Sequence, residues 1–191
     1  MNDRPSERQA TFDAMFAEDP DPWSFETSTY EQQKRRATMA ALGGNTFARA
    51  FEPGCANGFL TEMLAPSCGH LLAMDVSPRA LELAEERLQG SPHVSFEVGE
   101  IPGDWPGGTF DLIVLSEILY FLDAEEIASV SALARKTLRK RGTCLLVNWT
   151  GESDLPVDGD GAVRIFADSA NWSATSSAKH DKYRIDRFAA A

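Results

Sequence analysis

The sequence predicts an α/β domain with a mostly parallel sheet and helices on both faces, on three observations. Short apolar runs alternate with stretches of helical periodicity along the chain, the pattern of strands joined by crossover helices. A loop of small residues, Gly54-Cys55-Ala56-Asn57-Gly58, links one such run to an apolar-striped stretch. Polar residues stand at the ends of four separate runs, namely Glu52, Asp75, Glu100 and the pair Ser116/Glu117. Open α/β sheets bind ligands beyond the carboxyl ends of their strands, where the strand order reverses. With 191 residues the chain is long enough for one such domain and not for two.

The elements follow in order. Met1 to Arg8 is polar and is expected to be mobile. Phe12, Met15 and Phe16 are spaced for a short helix. Glu18 to Phe25 holds Pro20 and Pro22 and cannot be regular. Ser28 or Thr29 caps a helix from about Tyr30 to Leu42, which Gly43-Gly44 ends. Residues 1–45 therefore read as an N-terminal helical lid segment, ahead of a main unit over 46–191. The first strand is expected at Ala48 to Glu52, and the next helix turns Phe59, Leu60, Met63 and Leu64 to the core. Leu71 to Asp75 reads as a buried strand. Ser77-Pro78 opens a helix striped by Leu81, Ala84 and Leu88. Val94 to Val98 alternates as a strand, and Phe110 to Ser116 is another. Asp123 with Glu126 makes a capping box. Its helix is expected to end at Arg139-Lys140-Arg141, whose charge suits a helix C-terminus, with Gly142 as the stop. A strand at Thr143 to Asn148, a helix at Ala162 to Ala170 and a hairpin turning at His180-Asp181 complete the chain.

Composition narrows the function. The net charge of −11 opposes a nucleic-acid substrate, because phosphates would be repelled. No apolar run is long enough for a membrane span, and no leader pattern is present. Cys55, Cys68 and Cys144 have neither metal nor redox spacing and read as reduced thiols of a cytoplasmic protein. Asp158-Gly159-Asp160-Gly161 lacks the ligand spacing of a calcium loop, so no metal is expected.

Two ligand classes use a small-residue loop between strand and helix. The dinucleotide fingerprint needs a third glycine where this chain has Phe59. Glu52, at the mouth of the loop, would repel a pyrophosphate and suits a ligand bearing an amino group. Asp75 lies 21 residues beyond Gly54, the position from which an acid takes both ribose hydroxyls. Such an acid serves a nicotinamide cofactor as well, so a nicotinamide-dependent oxidoreductase stays open on that residue alone.

Glu52-x-Gly54-x-Ala56-x-Gly58 resembles the first motif of the S-adenosylmethionine-dependent methyltransferases, with alanine for the middle glycine. Taken with Asp21-Pro22-Trp23, Tyr30-Glu31, Phe110-Asp111-Leu112-Ile113-Val114 and Glu117-Ile118-Leu119-Tyr120-Phe121-Leu122, the chain is similar to the nodulation-protein-S-like (NodS-like) methyltransferases over roughly residues 12 to 150. The resemblance implies a Rossmann-like class I methyltransferase fold with a seven-stranded sheet and a C-terminal antiparallel hairpin. It implies S-adenosylmethionine as cofactor, with S-adenosylhomocysteine as product, and a small-molecule acceptor. The family's named member N-methylates the free amine of a deacetylated chitooligosaccharide, so an amine on a small polar or saccharide-like acceptor is the implied target.

Roles follow on the same footing. Glu52 should meet the methionine amino group, and the backbone at Gly54, Cys55, Ala56 and Gly58 should lie against the cofactor. Asp75 should hold the ribose, while Val76, Glu100 and Ile101 should flank the adenine. Trp23, Tyr30 and Lys34 should close over the cofactor, and Ser116 should lie near the transferring methyl. Glu117 should accept the amine proton and Tyr120 should orient the acceptor. O-methylation of a small metabolite and a methyltransferase-fold binding protein without catalysis are the alternatives. Either a monomer or a homodimer fits.

Overall fold

The computed structural model describes residues 6–151 and 155–189. Two helices, α1 (Glu7–Glu18) and α2 (Thr29–Ala41), precede the sheet. Then come β1 (Ala50–Pro53), α3 (Phe59–Leu64), β2 (Leu71–Asp75), α4 (Pro78–Arg87), β3 (Val94–Val98) and β4 (Phe110–Ser116). The chain finishes with α5 (Ala124–Thr137), β5 (Leu138–Trp149), α6 (Gly159–Ser169), β6 (Ala174–Lys179) and β7 (Tyr183–Ala189). One seven-stranded sheet runs in the order β3-β2-β1-β4-β5-β7-β6. β1 to β5 are parallel neighbours, and β7 enters antiparallel between β5 and β6. The order reverses between β1 and β4, which opens a crevice at their carboxyl ends.

The strands that carry this crevice are apolar because both faces are covered. β1 and β2 are buried throughout, and so is β4 apart from Asp111 and Ser116. Phe51, Ile113, Cys144 and Leu146 pack under α5 and α6. Ala50, Leu112, Val114, Leu145 and Val147 face the other side, toward α3 and the end of α2. Side chains alternate along each strand, so one register fills both cores.

Several expectations need correction. The polar start extends less far than expected: Ser6 caps α1, Glu7 and Arg8 are helical, and Met1 to Pro5 lie outside the described residues. β1 begins two residues late because Ala48 and Arg49 donate their backbone N–H groups to the Asp111 carboxylate, both at 2.8 Å. α3 is a six-residue helix that buries Thr61 and Leu64, not Phe59, Leu60 and Met63. The basic run Arg139-Lys140-Arg141 does not end α5. It belongs to β5, where Leu138 pairs with Phe110, the ladder bulges, and Arg139 donates to Thr109 Oγ1 at 3.0 Å. α6 starts three residues early because Asp158 caps it, accepting from the Gly161 N–H.

Candidate functional site

A cleft lies at the crevice where the order reverses, about 1210 Å³ of space counting the open solvent at its mouth. Its floor is the loop between β1 and α3. Gly54 and Gly58 adopt left-handed φ of +72° and +84°, and Ala56 does so at +51°. A Cβ on Gly54 would meet Ile118 Cδ1 at 2.8 Å, so only glycine lets Ile118 and the loop close together. A Cβ on Gly58 would meet Ala84 and Leu88. That residue seats α3 against α4 and does not line the cleft.

Two acids flank the loop. Glu52 is 2% exposed, and its Oε2 has no hydrogen-bond partner. Burial, assisted by the charge of Asp75, pushes its carboxyl up to about 8. Asp75 accepts the N–H of Ala56 at 2.8 Å on Oδ2 and that of Ser77 at 3.0 Å on Oδ1. Burial raises its carboxyl too, while those N–H groups hold it down. A carboxylate has about four lone-pair sites, so two remain for hydroxyl donors. Val76, Gly99, Glu100 and Ile101 continue the wall from β2 and β3.

The N-terminal segment covers the mouth. Asn57, in the glycine loop, donates to the carbonyl of Pro20 at 2.8 Å. Asp21 accepts the N–H groups of Phe25 and Glu26, so its carboxylate shapes the turn that carries Trp23. On α1, Phe12 and Phe16 face the cleft, and Arg8 bridges Glu100 at 2.8 Å to Glu126 at the start of α5. On α2, Arg35 donates to the carbonyl of Phe25 at 2.7 Å while its buried Nη1 is unpartnered.

Beyond β4 the backbone turns at Glu117 with φ +58°, a strained conformation for a non-glycine residue. This turns the side chain back into the cleft. Lys34 Nζ donates to Glu31 Oε1 at 2.9 Å and to Glu117 Oε2 at 3.0 Å, and Tyr120 OH donates to Glu117 Oε2 at 2.9 Å. Burial raises the Glu117 carboxyl, and Lys34 pulls it back. Burial and the Glu117 charge raise the Tyr120 phenol, so it stays a donor.

The expected residues line this cleft with two exceptions, Gly58 and Tyr30. The Tyr30 ring packs edge-on against Tyr183 and beside the Lys34 ammonium, which props α2 on β7. Sequence reasoning missed Arg8, Glu31, Arg35 and Asn57. Glu31 was legible: three residues before Lys34 and four before Arg35, it shares their helix face.

The family model of nodulation protein S (NodS) matches residues 10–143. A nodulation protein S of Sinorhizobium fredii is 35% identical over 111 residues, covering 58% of this chain and 50% of that protein. One from Bradyrhizobium diazoefficiens is 41% identical over 104 residues, covering 53% and 49%. The chain thus spans about half the length of the curated relatives it matches. The solved N-methyltransferase NodS of Bradyrhizobium japonicum WM9, in complex with S-adenosyl-L-homocysteine, superposes with a TM-score of 0.86. That alignment covers 97% of this chain and 99% of the other at 22% identity, which shows a common fold.

Proposed function

This chain belongs to the nodulation protein S (NodS) family, and from that we propose that it is an S-adenosylmethionine-dependent methyltransferase acting on an amine of a small polar or saccharide-like acceptor. The carrying observation is a set of unmet polar groups around the glycine loop. The free Glu52 Oε2 suits the methionine ammonium, and the free Arg35 Nη1 suits its carboxylate. The remaining lone pairs of Asp75 suit the ribose hydroxyls. Glu100, Ile101 and Ser116 line the same cleft, which supports the first two as neighbours of the adenine and the third as a neighbour of the methyl. Among the described residues, 6–45 act as a cover, held to the loop through Asn57. Buried free cysteines suit a cytoplasmic setting.

When bound, the cofactor would supply a methyl carbon on a sulfonium, open to bonding by an incoming lone pair as the C–S bond breaks and its electron pair returns to a neutral thioether. The chain's own contribution is alignment and proton handling. The aromatic cover keeps water from the acceptor's approach. Glu117 takes the proton that the acceptor nitrogen must lose, onto its unpartnered Oε1. Tyr120 fixes the other oxygen of that carboxylate, so the accepting oxygen has one orientation.

Calorimetric titration with S-adenosylhomocysteine, with NAD as the control ligand, tests the cofactor. Micromolar binding of the first alone is expected, and preferential binding of NAD would overturn the reading. Transfer of a labelled methyl group from S-adenosylmethionine to amino sugars, compared with their N-acetyl forms, then tests the acceptor.

A further inference from the structure

Proceeding from that methyltransferase reading, we infer that the acceptor binds as a cation, and that Glu31 and Glu117 form a two-carboxylate seat for its ammonium group. The cleft's charge calls for one. Three cations, Arg8, Lys34 and Arg35, and five acids line it, which leaves two negative charges once Glu52 has ionised against the cofactor's ammonium. A cofactor with a sulfonium, an ammonium and a carboxylate brings one net positive charge. The filled cofactor site therefore remains one cation short, in a place where unbalanced charge is costly to bury.

The shortfall has an address. Glu31 and Glu117 share the single ammonium of Lys34, whose residue is only 5% exposed. Each carboxylate spends one oxygen on it. The others, Glu31 Oε2 and Glu117 Oε1, are buried without a hydrogen-bond partner. Arg35 also acts on Glu31 at a distance, but it is committed to the Phe25 carbonyl and, on this reading, to the cofactor carboxylate. Phe12, Trp23, Phe25 and Phe121 line the same cleft, and aromatic faces favour a cation over a neutral hydroxyl compound. An ammonium carries three donors, enough for both free oxygens at once. After the ammonium has docked, one proton moves from nitrogen to Glu117 Oε1, and the freed lone pair becomes the nucleophile. Glu31 contributes only its position beside the ammonium. It is a specificity residue rather than a base.

The test is calorimetry on the full chain saturated with S-adenosylhomocysteine. The probes are ethanolamine, glucosamine and 1,4-diaminobutane, each against its hydroxyl counterpart: ethylene glycol, glucose and 1,4-butanediol. At least one amine should bind tenfold or more tightly than its counterpart. Glu31→Gln, which keeps the shape of the side chain, should weaken that amine at least tenfold while S-adenosylhomocysteine affinity stays within twofold. Glu31→Asp should restore part of the loss. Amines binding no better than their hydroxyl counterparts, or an amine affinity unmoved in Glu31→Gln, would overturn the seat and leave the methyltransferase reading standing. Failure of S-adenosylhomocysteine itself to bind would instead strike the reading beneath it.

Discussion

Replacing Glu52→Gln should remove a proton from the cofactor-binding equilibrium. Burial holds the Glu52 carboxyl at about 8 in the free protein. At pH 7 roughly nine molecules in ten therefore carry it protonated. The methionine ammonium needs the carboxylate, so binding should expel about 0.9 proton per S-adenosylhomocysteine at pH 7 and about 0.1 at pH 9. Proton release makes affinity pH-dependent, with a gain of roughly 50-fold between pH 6 and pH 8 and little beyond. A glutamine resembles the protonated acid and cannot gain charge. The variant's affinity should thus be flat with pH, and its deficit against the parent should widen by roughly 75-fold between pH 6 and pH 8.5. Titration at pH 7 in phosphate and in Tris, whose ionisation enthalpies differ, counts the protons directly. Equal heats in the two buffers, or a parent affinity that is flat from pH 6 to pH 8, would refute the assignment of Glu52 to the amino group.

Other outcomes follow from the same geometry. A carboxyl raised when folded favours the folded state at low pH and loses that contribution as pH climbs from 4.5 through about 8. In urea unfolding at pH 9, Glu52→Gln should accordingly exceed the parent by a few kcal/mol, with about 5 as the ceiling, and the gain should vanish near pH 4. Asp75→Ala removes the acceptor for two backbone N–H groups as well as the ribose contact, and should weaken S-adenosylhomocysteine by roughly 10- to 100-fold in calorimetry. Gly54→Ala places a Cβ 2.8 Å from Ile118 Cδ1 at φ +72° and should cost about 1–2 kcal/mol in the same unfolding assay. Ala56→Gly relieves left-handed strain and should leave stability unchanged or higher by up to about 1 kcal/mol. Glu117→Gln should lower kcat on an amine by about 100-fold and erase the acid limb of the rate profile, which in the parent falls as pH drops through a value raised above 4.5.

The central strands were legible because nothing in them conflicts. Leu71 to Asp75, Val94 to Val98 and Phe110 to Ser116 are found end for end as the sequence suggests. Each is an apolar or alternating run bounded by turn residues. The acids at strand ends were legible for a related reason, since a charge at the end of a buried run has only the crevice to face. Arg139 to Arg141 misled because three cations after an apolar helix satisfy the helix dipole on paper. Only the pairing of Leu138 with Phe110, a long-range fact, turns them into strand. The same limit hid Arg8. Its partners Glu100 and Glu126 lie 92 and 118 residues away, and no local pattern announces them. Tyr30 was assigned to the cleft on the family resemblance, yet its ring packs edge-on against Tyr183 of β7.

Among the described residues, every one that lines the cleft lies between Arg8 and Leu122. β5 and β6 brace the sheet beneath it, β7 also supports α2 through Tyr183, and α6 packs on the turn that carries Tyr120 and Phe121. Chemistry and framework are thus written on separate stretches of one chain. A lineage can redraft the last third of such a gene without disturbing how the cleft is built, so long as it still fills the sheet and supports α2 and the turn after β4. Conversely, a graft of that last third from a relative should transplant stability and leave reactivity behind.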